Sequence, residues 1–418
     1  MSIFTCADLL IPEEPLLPDW AVIACDQFTS QPEYWDAVRR QTAGKPSAYH
    51  ITFPEAELES DRVSRIASIH DNMRRCLAAG FLRSFPHALV YVERQLMDGS
   101  VRRGLVGVID LEAYEYAADA GSAIRATEQT VVERIPPRVQ IRSGAALEQS
   151  HVMLLADDRE DHILSACEQK KDALPLLYDF TLMQGGGRIT GRLLSGADAE
   201  DVLAAVGAYE REAVERYASQ GLAPLLYAVG DGNHSLATAK TCWETLKRQN
   251  PALAGSDHPA RCAMVELQNI HDASQQFEPI HRILTGISPA ALLEGLSTRC
   301  APAGHEVRWA AGERSGTVTL SRALGELPVA ILQPFLDRWL EKRGGKIDYI
   351  HGDEVALELA RQDDALAFLL PNISKADFFP GIVKGGVLPR KTFSMGHARE
   401  KRYYLECRRI TEQHVVPR

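Results

Sequence analysis

The sequence predicts a mixed α/β (α+β) protein, with mixed sheets and flanking helices. Three observations lead there. Short apolar runs rich in β-branched residues alternate with longer stretches of helical periodicity. Asp98-Gly99 stands between two of those runs, 88–95 and 101–110, and is the strongest hairpin signal in the chain. Residues 225–229, 230–233 and the stretch that follows read as strand, turn and helix in direct succession.

Taken in order, Pro12, Pro15 and Pro18 lead into the run 20–24, read as a strand that ends at Cys25-Asp26. A carboxylate just past a strand's C-terminal end is where open α/β sheets place ligand groups; the plainer reading is an Asx turn. Residues 34–40 look helical. The segment 58–80 is a clear helix, with Val63, Ile66, Ile69, Met73 and Cys76 as its apolar stripe and Gly80 at its stop. The hairpin follows. Residues 124–142 then carry Arg125, Glu128, Glu133, Arg134, Arg138 and Arg142 across a Pro136-Pro137 break. Such a segment reads as an exposed loop or as a substrate loop, in which Arg134 or Arg138 meets phosphate or carboxylate through its guanidinium fork.

Beyond it, 151–156 reads as a buried strand, and 176–179 leads to a hairpin turn at Gln184-Gly-Gly-Gly187. Residues 198–220 are helical, with Val202, Val206, Tyr209, Val214 and Tyr217 on one side. Residues 263–267 form a further strand. His271 and His281 bracket an expected loop holding Glu278 and Pro279, but their spacing matches no protein zinc site. Residues 285–360 alternate helices with short strands, 310–316 is a loop or boundary, and 365–370 is a buried strand. The tail 388–399 sets Arg390 and Lys391 before Thr392 and Ser394, in an acidic protein more like an anion site than a solvated tail. Three lobes are expected: an N-terminal α/β lobe over 1–160 with the substrate loop, a central lobe over 161–290, and a C-terminal lobe over 291–418.

Composition narrows the function classes. With 418 residues, 45% hydrophobic and 24% charged, the chain has the balance of an ordinary globular protein. A net charge of −10 argues against non-specific nucleic-acid binding, which needs an excess of cations. No apolar run nears the roughly 18 residues of a membrane span. The N-terminus lacks the basic and apolar regions of a secretory signal. Eight cysteines without a C-x-x-C pair fit a reduced, cytoplasmic protein.

The chain is organised around Leu225-Leu-Tyr-Ala-Val-Gly-Asp-Gly-Asn-His-Ser235. The first N–H groups of a helix have no intrahelical partner and its dipole favours negative charge, so a strand, a glycine turn and a helix start make an anion site. Asp231 and His234 flank this opening, with Ser235 and Thr238 behind. An acid, an imidazole and free N–H groups in one turn bind phosphate, hold a metal or move a proton. A plain α/β turn with Asp as cap is the alternative.

This stretch resembles the signature of the bacterial and archaeal proteins grouped as domain-of-unknown-function family 1015, and the resemblance extends along most of the chain. Ala21-Val-Ile-Ala-Cys-Asp26, Glu128-Gln-Thr130 with Arg138, Leu177-Tyr-Asp-Phe180, Glu278-Pro-Ile-His-Arg282, Ile347-Asp-Tyr-Ile-His351 and Val387-Leu-Pro-Arg-Lys-Thr392 resemble family segments in the same order. The central motif is also similar to that of the ParB/sulfiredoxin-like fold, which includes free-serine kinases. The resemblance implies phosphoryl transfer from ATP or ADP, with Mg²⁺, to a small hydroxyl compound such as free serine. On that expectation Asp231, His234, Glu128 and Arg138 are catalytic, with Asp231 also the metal ligand. Gly232, Asn233, Ser235, Arg390 and Lys391 hold phosphate. Asp26, Thr130, His281 and Arg282 hold the substrate. One departure stands out: Ser235 follows His234 where the family usually has Arg. Competing expectations are a nucleotide-binding regulatory module without turnover and a metal-dependent phosphohydrolase. Small-molecule substrate and nucleotide are the expected partners, with homo-oligomerisation left open.

Overall fold

The computed structural model describes residues 2–58, 61–117, 121–130 and 132–411. A large mixed sheet, a smaller sheet whose pairings are all antiparallel, and a two-stranded pair, with flanking helices, make the architecture. Across the larger sheet the strand order is Tyr114–Glu115, Ile124–Ala126, Tyr227–Asp231, Met153–Ala156, Cys262–Asn269, Val101–Asp110, Leu82–Gln95, Ala7–Pro12, Cys407–Arg409 and Leu147–Gln149. Tyr227–Asp231 runs parallel to Ile124–Ala126 and antiparallel to Met153–Ala156, which in turn runs parallel to Cys262–Asn269. The hairpin read at Asp98-Gly99 is present, with Val90 opposite Val106. Leu176–Thr181 pairs with Arg188–Leu194 around the triple glycine.

The smaller sheet orders Arg314–Leu320, Cys300–Ala311, Leu366–Leu369, Phe277–Thr285 and Lys346–His351, and Phe393–Met395 pairs with the start of Phe277–Thr285. The larger sheet draws strands from all three expected lobes, and Phe277–Thr285 leaves the middle stretch to join the smaller one. Three main cores fill the spaces. One gathers Trp20, Trp35 and Met73, a second Tyr209, Tyr227 and Trp243, and a third Leu336, Phe368 and Phe378.

Several sequence expectations change here. Pro136 and Pro137 do not break a segment; they start the helix Ile135–Arg142, where a missing N–H costs nothing and the fixed φ suits the first turn. The run 20–24 splits, because Leu17–Trp20 is a helical turn and only Val22–Ile23 is a strand. In Ala197–Ala218 the inward position falls to Ala213, leaving Val214 40% exposed. Glu278 and Pro279 are in a strand, not a loop. The 310–316 segment closes the hairpin between Cys300–Ala311 and Arg314–Leu320. Among the described residues, no helix is long and apolar enough to cross a membrane.

Candidate functional site

The strand Tyr227–Asp231 is buried through Val229, and the helix Asn233–Gln249 follows after one residue. That residue, Gly232, has φ 81°, and a Cβ there would stand 3.0 Å from Val152. The turn therefore needs glycine on both counts. Gly232 is the N-cap and has no side chain to close the helix start, where backbone amides lack intrahelical partners.

Asp231 caps its own turn through Oδ1, which accepts from the Gly232 N–H at 2.9 Å. Its Oδ2 is buried and pairs with Lys401 Nζ, 3.2 Å away, with no other partner recorded among the described residues. Asn233 Oδ1 is buried and makes no hydrogen bond among the described residues. Asp231 Oδ2, paired with Lys401, and Asn233 Oδ1 are oxygens of the kind a hard cation takes. Mg²⁺ characteristically takes one or two protein oxygens and completes its shell with phosphates and water. Among the described residues no group of three or more His, Cys, Asp or Glu forms a metal cage. The residues present thus fit a cation that arrives with phosphate.

These groups open into a cleft of about 1040 Å³ between the two sheets' loops. Its lining carries five carboxylates (Asp26, Glu55, Glu128, Asp231, Glu278) and five cations (Arg134, Arg138, Arg390, Lys391, Lys401). His234, His351 and His397 join them. In a chain of net charge −10, a lining with balanced charge is a local enrichment in cations. Arg138 reaches this cleft from about ninety residues upstream, bonded to Glu55 and donating to the Arg134 carbonyl at 2.6 Å. Burial first, then Arg138 and Arg134, push the His234 imidazole down to about 4. It is neutral at pH 7.

Asp26 stands at the inner end of the cleft. Its Oδ2 lies 3.8 Å from His151 Nε2, and His151 Nδ1 is 2.7 Å from the Tyr404 hydroxyl. Burial would raise the Asp26 carboxyl, but His151, the Gln27 amide and Lys401 together hold it below the usual range. Cys25 beside it is pushed up to about 12, chiefly by burial, and stays a thiol.

Other expected site residues are held by backbone and side-chain partners around the cleft. Glu128 accepts from the Lys391 N–H at 3.2 Å and the Thr392 N–H at 3.0 Å, so it fastens the 388–393 loop. Burial raises its pKa, outweighing those backbone bonds. Arg282 is fully buried; it donates to the Lys391 carbonyl at 2.8 Å and to Gln333 at 2.9 Å, with Tyr349 stacked on its guanidinium. It orients the Arg390-Lys391 turn from behind. His281 is buried between Asp353 at 2.9 Å and the Leu370 N–H at 3.1 Å. Thr130 is buried, its hydroxyl without a hydrogen bond among the described residues, and neither it nor His281 borders the cleft. Ser235 does border the inner part. Sequence reading missed Lys401, His151 and Glu55. For Lys401 a signal existed, since the basic tail continues two residues past its assigned end.

A search of the curated proteins finds no match. Among solved structures the chain is similar to a free serine kinase in complex with AMP, at 12% identity over 73% of this chain and 92% of that one, with a TM-score of 0.36. A conserved hypothetical protein from Pyrococcus furiosus matches at 11% identity over 72% and 94%, with a TM-score of 0.35. SbnI with C-terminal truncation from Staphylococcus aureus matches at 9% over 70% and 82%, with a TM-score of 0.36. Superpositions this loose transfer no residue roles. The sequence family is another matter, because its profile takes in the strand–turn–helix, the Arg138 helix and the basic tail together. Matching over residues 8–414, the chain belongs to the family described as Protein of unknown function (DUF1015).

Proposed function

We propose that this chain is a small-molecule phosphotransferase, moving a phosphoryl group from ATP or ADP to a hydroxyl compound. The observation that carries the reading is the glycine-led strand–turn–helix, with Asp231 and Asn233 at the helix start, on a cleft that five cations and five carboxylates line. Phosphoryl transfer asks little covalent chemistry of a protein; it asks for positioning and for charge neutralisation. The amides of the opening turn hold phosphate oxygens, while Arg138, Lys391 and Lys401 offset their charge. These cations stand in for the guanidinium that Ser235 cannot supply. Bound with the nucleotide, Mg²⁺ would sit on Asp231 and Asn233 and neutralise charge on the phosphates.

The acceptor hydroxyl is oriented by Asp26, which is ionised at neutral pH. In transfer, a bond forms between the acceptor oxygen and the phosphorus, and the phosphorus–oxygen bond to the leaving nucleotide breaks. The leaving oxygen keeps that electron pair, and the hydroxyl proton passes to Asp26. His234, being neutral, donates or accepts one hydrogen bond without adding charge. The cleft's size is ample for a nucleotide and a small acceptor together, since ligand pockets run to roughly 1,000 Å³.

Purified protein incubated with ATP, Mg²⁺ and a mixture of hydroxyl amino acids tests the reading. ADP release that depends on one acceptor supports it. Nucleotide binding without acceptor-dependent ADP release would leave a regulatory module instead.

A further inference from the structure

Among the described residues five non-glycines, Phe28, His87, Asp161, Gln184 and Lys391, have φ in the left-handed region. Of these only Lys391, at 58°, lines the cleft. A side chain is strained there, and such a conformation persists only where its surroundings over-determine it. Lys391 is held at both ends. Its N–H and the Thr392 N–H donate to the two oxygens of Glu128, at 3.2 and 3.0 Å. Its carbonyl accepts from Arg282 Nη1 at 2.8 Å, and the Thr392 hydroxyl closes the turn on the Pro389 carbonyl. Glu128 is fixed in its turn. The Leu388 N–H donates to the Thr127 carbonyl at 2.9 Å, and the Gln129 N–H to the Leu388 carbonyl at 3.1 Å.

The holding groups are occupied by what they hold. Arg282 is fully buried, and its guanidinium donates to Gln333 and to the Ile280, Arg390 and Lys391 carbonyls. Both oxygens of Glu128 carry backbone amides. The Lys391 side chain is different. Arg138 is paired with Glu55, and Lys401 with Asp231. Lys391 is exposed on the cleft and forms no ion pair among the described residues. Arg390 beside it lies over the Tyr349 ring at 5.9 Å.

We propose that the Pro389–Thr392 turn is a preformed phosphate clamp with Lys391 as its binding cation. Glu128 and Arg282 act through Lys391 as positioning residues and do not touch the ligand. Fixing the cation before the ligand arrives removes the ordering that a mobile lysine would undergo on binding. That the phosphate belongs to a nucleotide rests on the phosphotransfer reading; the clamp does not.

The test titrates pyrophosphate into the full-length protein in metal-free buffer and follows the heat. Lys391→Met should weaken binding at least tenfold. Glu128→Gln should weaken it at least fivefold. Loss of a negative charge by itself would tighten an anion, so weakening reports lost positioning. In the double variant the Glu128 effect should vanish, because contributions that run through one residue are not additive. Lys391→Gly, free of the strain, should melt above Lys391→Met and bind pyrophosphate no better. Wild-type affinity in Lys391→Met would overturn the proposal. So would tighter binding in Glu128→Gln, or a Glu128 effect that persists in the Lys391→Met background. Acceptor-dependent ADP release on the same variants separates the two readings. The predicted pyrophosphate pattern without turnover sinks the phosphotransfer reading alone, and undiminished turnover in Lys391→Met sinks the clamp alone.

Discussion

His234 shows how far one side chain's environment departs from its letter in the sequence. An imidazole beside a phosphate site invites a cationic role, yet burial and two arginines hold it near 4, so it is neutral at pH 7. The unfolded chain, with an ordinary imidazole near 6.5, then holds more protons between about pH 4 and 6.5. His234's contribution to stability is therefore complete above about 6.5 and is lost as pH falls through that window. Melting temperatures measured from pH 7.5 to 4.5 should show His234→Asn losing less stability on acidification than the wild type. Binding of inorganic phosphate should raise the imidazole's pKa, because a new anion favours the charged form. An NMR titration with and without phosphate reads this directly; an unmoved midpoint would place the anion elsewhere. Asp231 is the sharper case. Asp231→Asn keeps the shape and its Oδ1 cap, and removes the charge facing Lys401. Turnover should drop about 10²-fold or more with the melting temperature nearly unchanged. Arg138→Ala should act in the same direction, and it also frees Glu55 to add an uncompensated negative charge near the phosphates.

Elements with strong local signals were legible: the Asp98-Gly99 hairpin, the helix within 58–80, and the strand–turn–helix at Tyr227–Gln249. Periodicity and turn chemistry decide such segments alone. What escaped was set by partners distant in sequence. Two consecutive prolines look like an interruption until the chain before them is known to turn into a helix start. On the family resemblance Glu128 reads as catalytic and Arg282 as a substrate ligand. Their partners, the backbone of 390–392, lie more than a hundred residues downstream, and no local pattern announces that pairing. His151 was missed for the same reason, and Lys401 because it lies two residues past the assigned end of the basic tail. The turn itself yields a test at this scale. Gly232→Ala puts a side chain at φ 81° and a Cβ 3.0 Å from Val152. A positive-φ non-glycine costs on the order of 1–3 kcal/mol. Denaturant unfolding should show that loss, and nucleotide affinity should fall with it; full wild-type stability would mean that Val152 and the turn yield easily.

At the scale of the whole molecule, the C-terminal tail connects the cleft to the large sheet. Cys407–Arg409 lies between Ala7–Pro12 and Leu147–Gln149, and Tyr403–Tyr404 pairs with Val22–Ile23, so the end of the chain is woven into its beginning. Arg94 donates to the carbonyls of Arg399, Glu400 and Lys401, and Trp20 donates to the Leu405 carbonyl at 2.9 Å. That grip is what brings Lys401 to Asp231. Its deepest anchor is Arg402, 3% exposed, ion-paired to Glu266 and, at 2.6 Å, to Glu406. Removing one member of a buried charge cluster leaves the others uncompensated, at a cost of about 3–5 kcal/mol, whereas replacing all of them by apolar groups is often neutral. Arg402→Met should therefore lower the urea midpoint sharply. The triple variant Arg402→Met, Glu266→Met, Glu406→Met should recover part of that loss in spite of carrying more changes. Arg102 and the Gln268 amide, which also face Glu266, set a limit on the recovery. If the triple variant is no more stable than the single one, packing around Arg402 rather than its charge holds the tail. In that case Asp231 should keep its Lys401 partner even when Arg402 is replaced by a neutral side chain of similar volume.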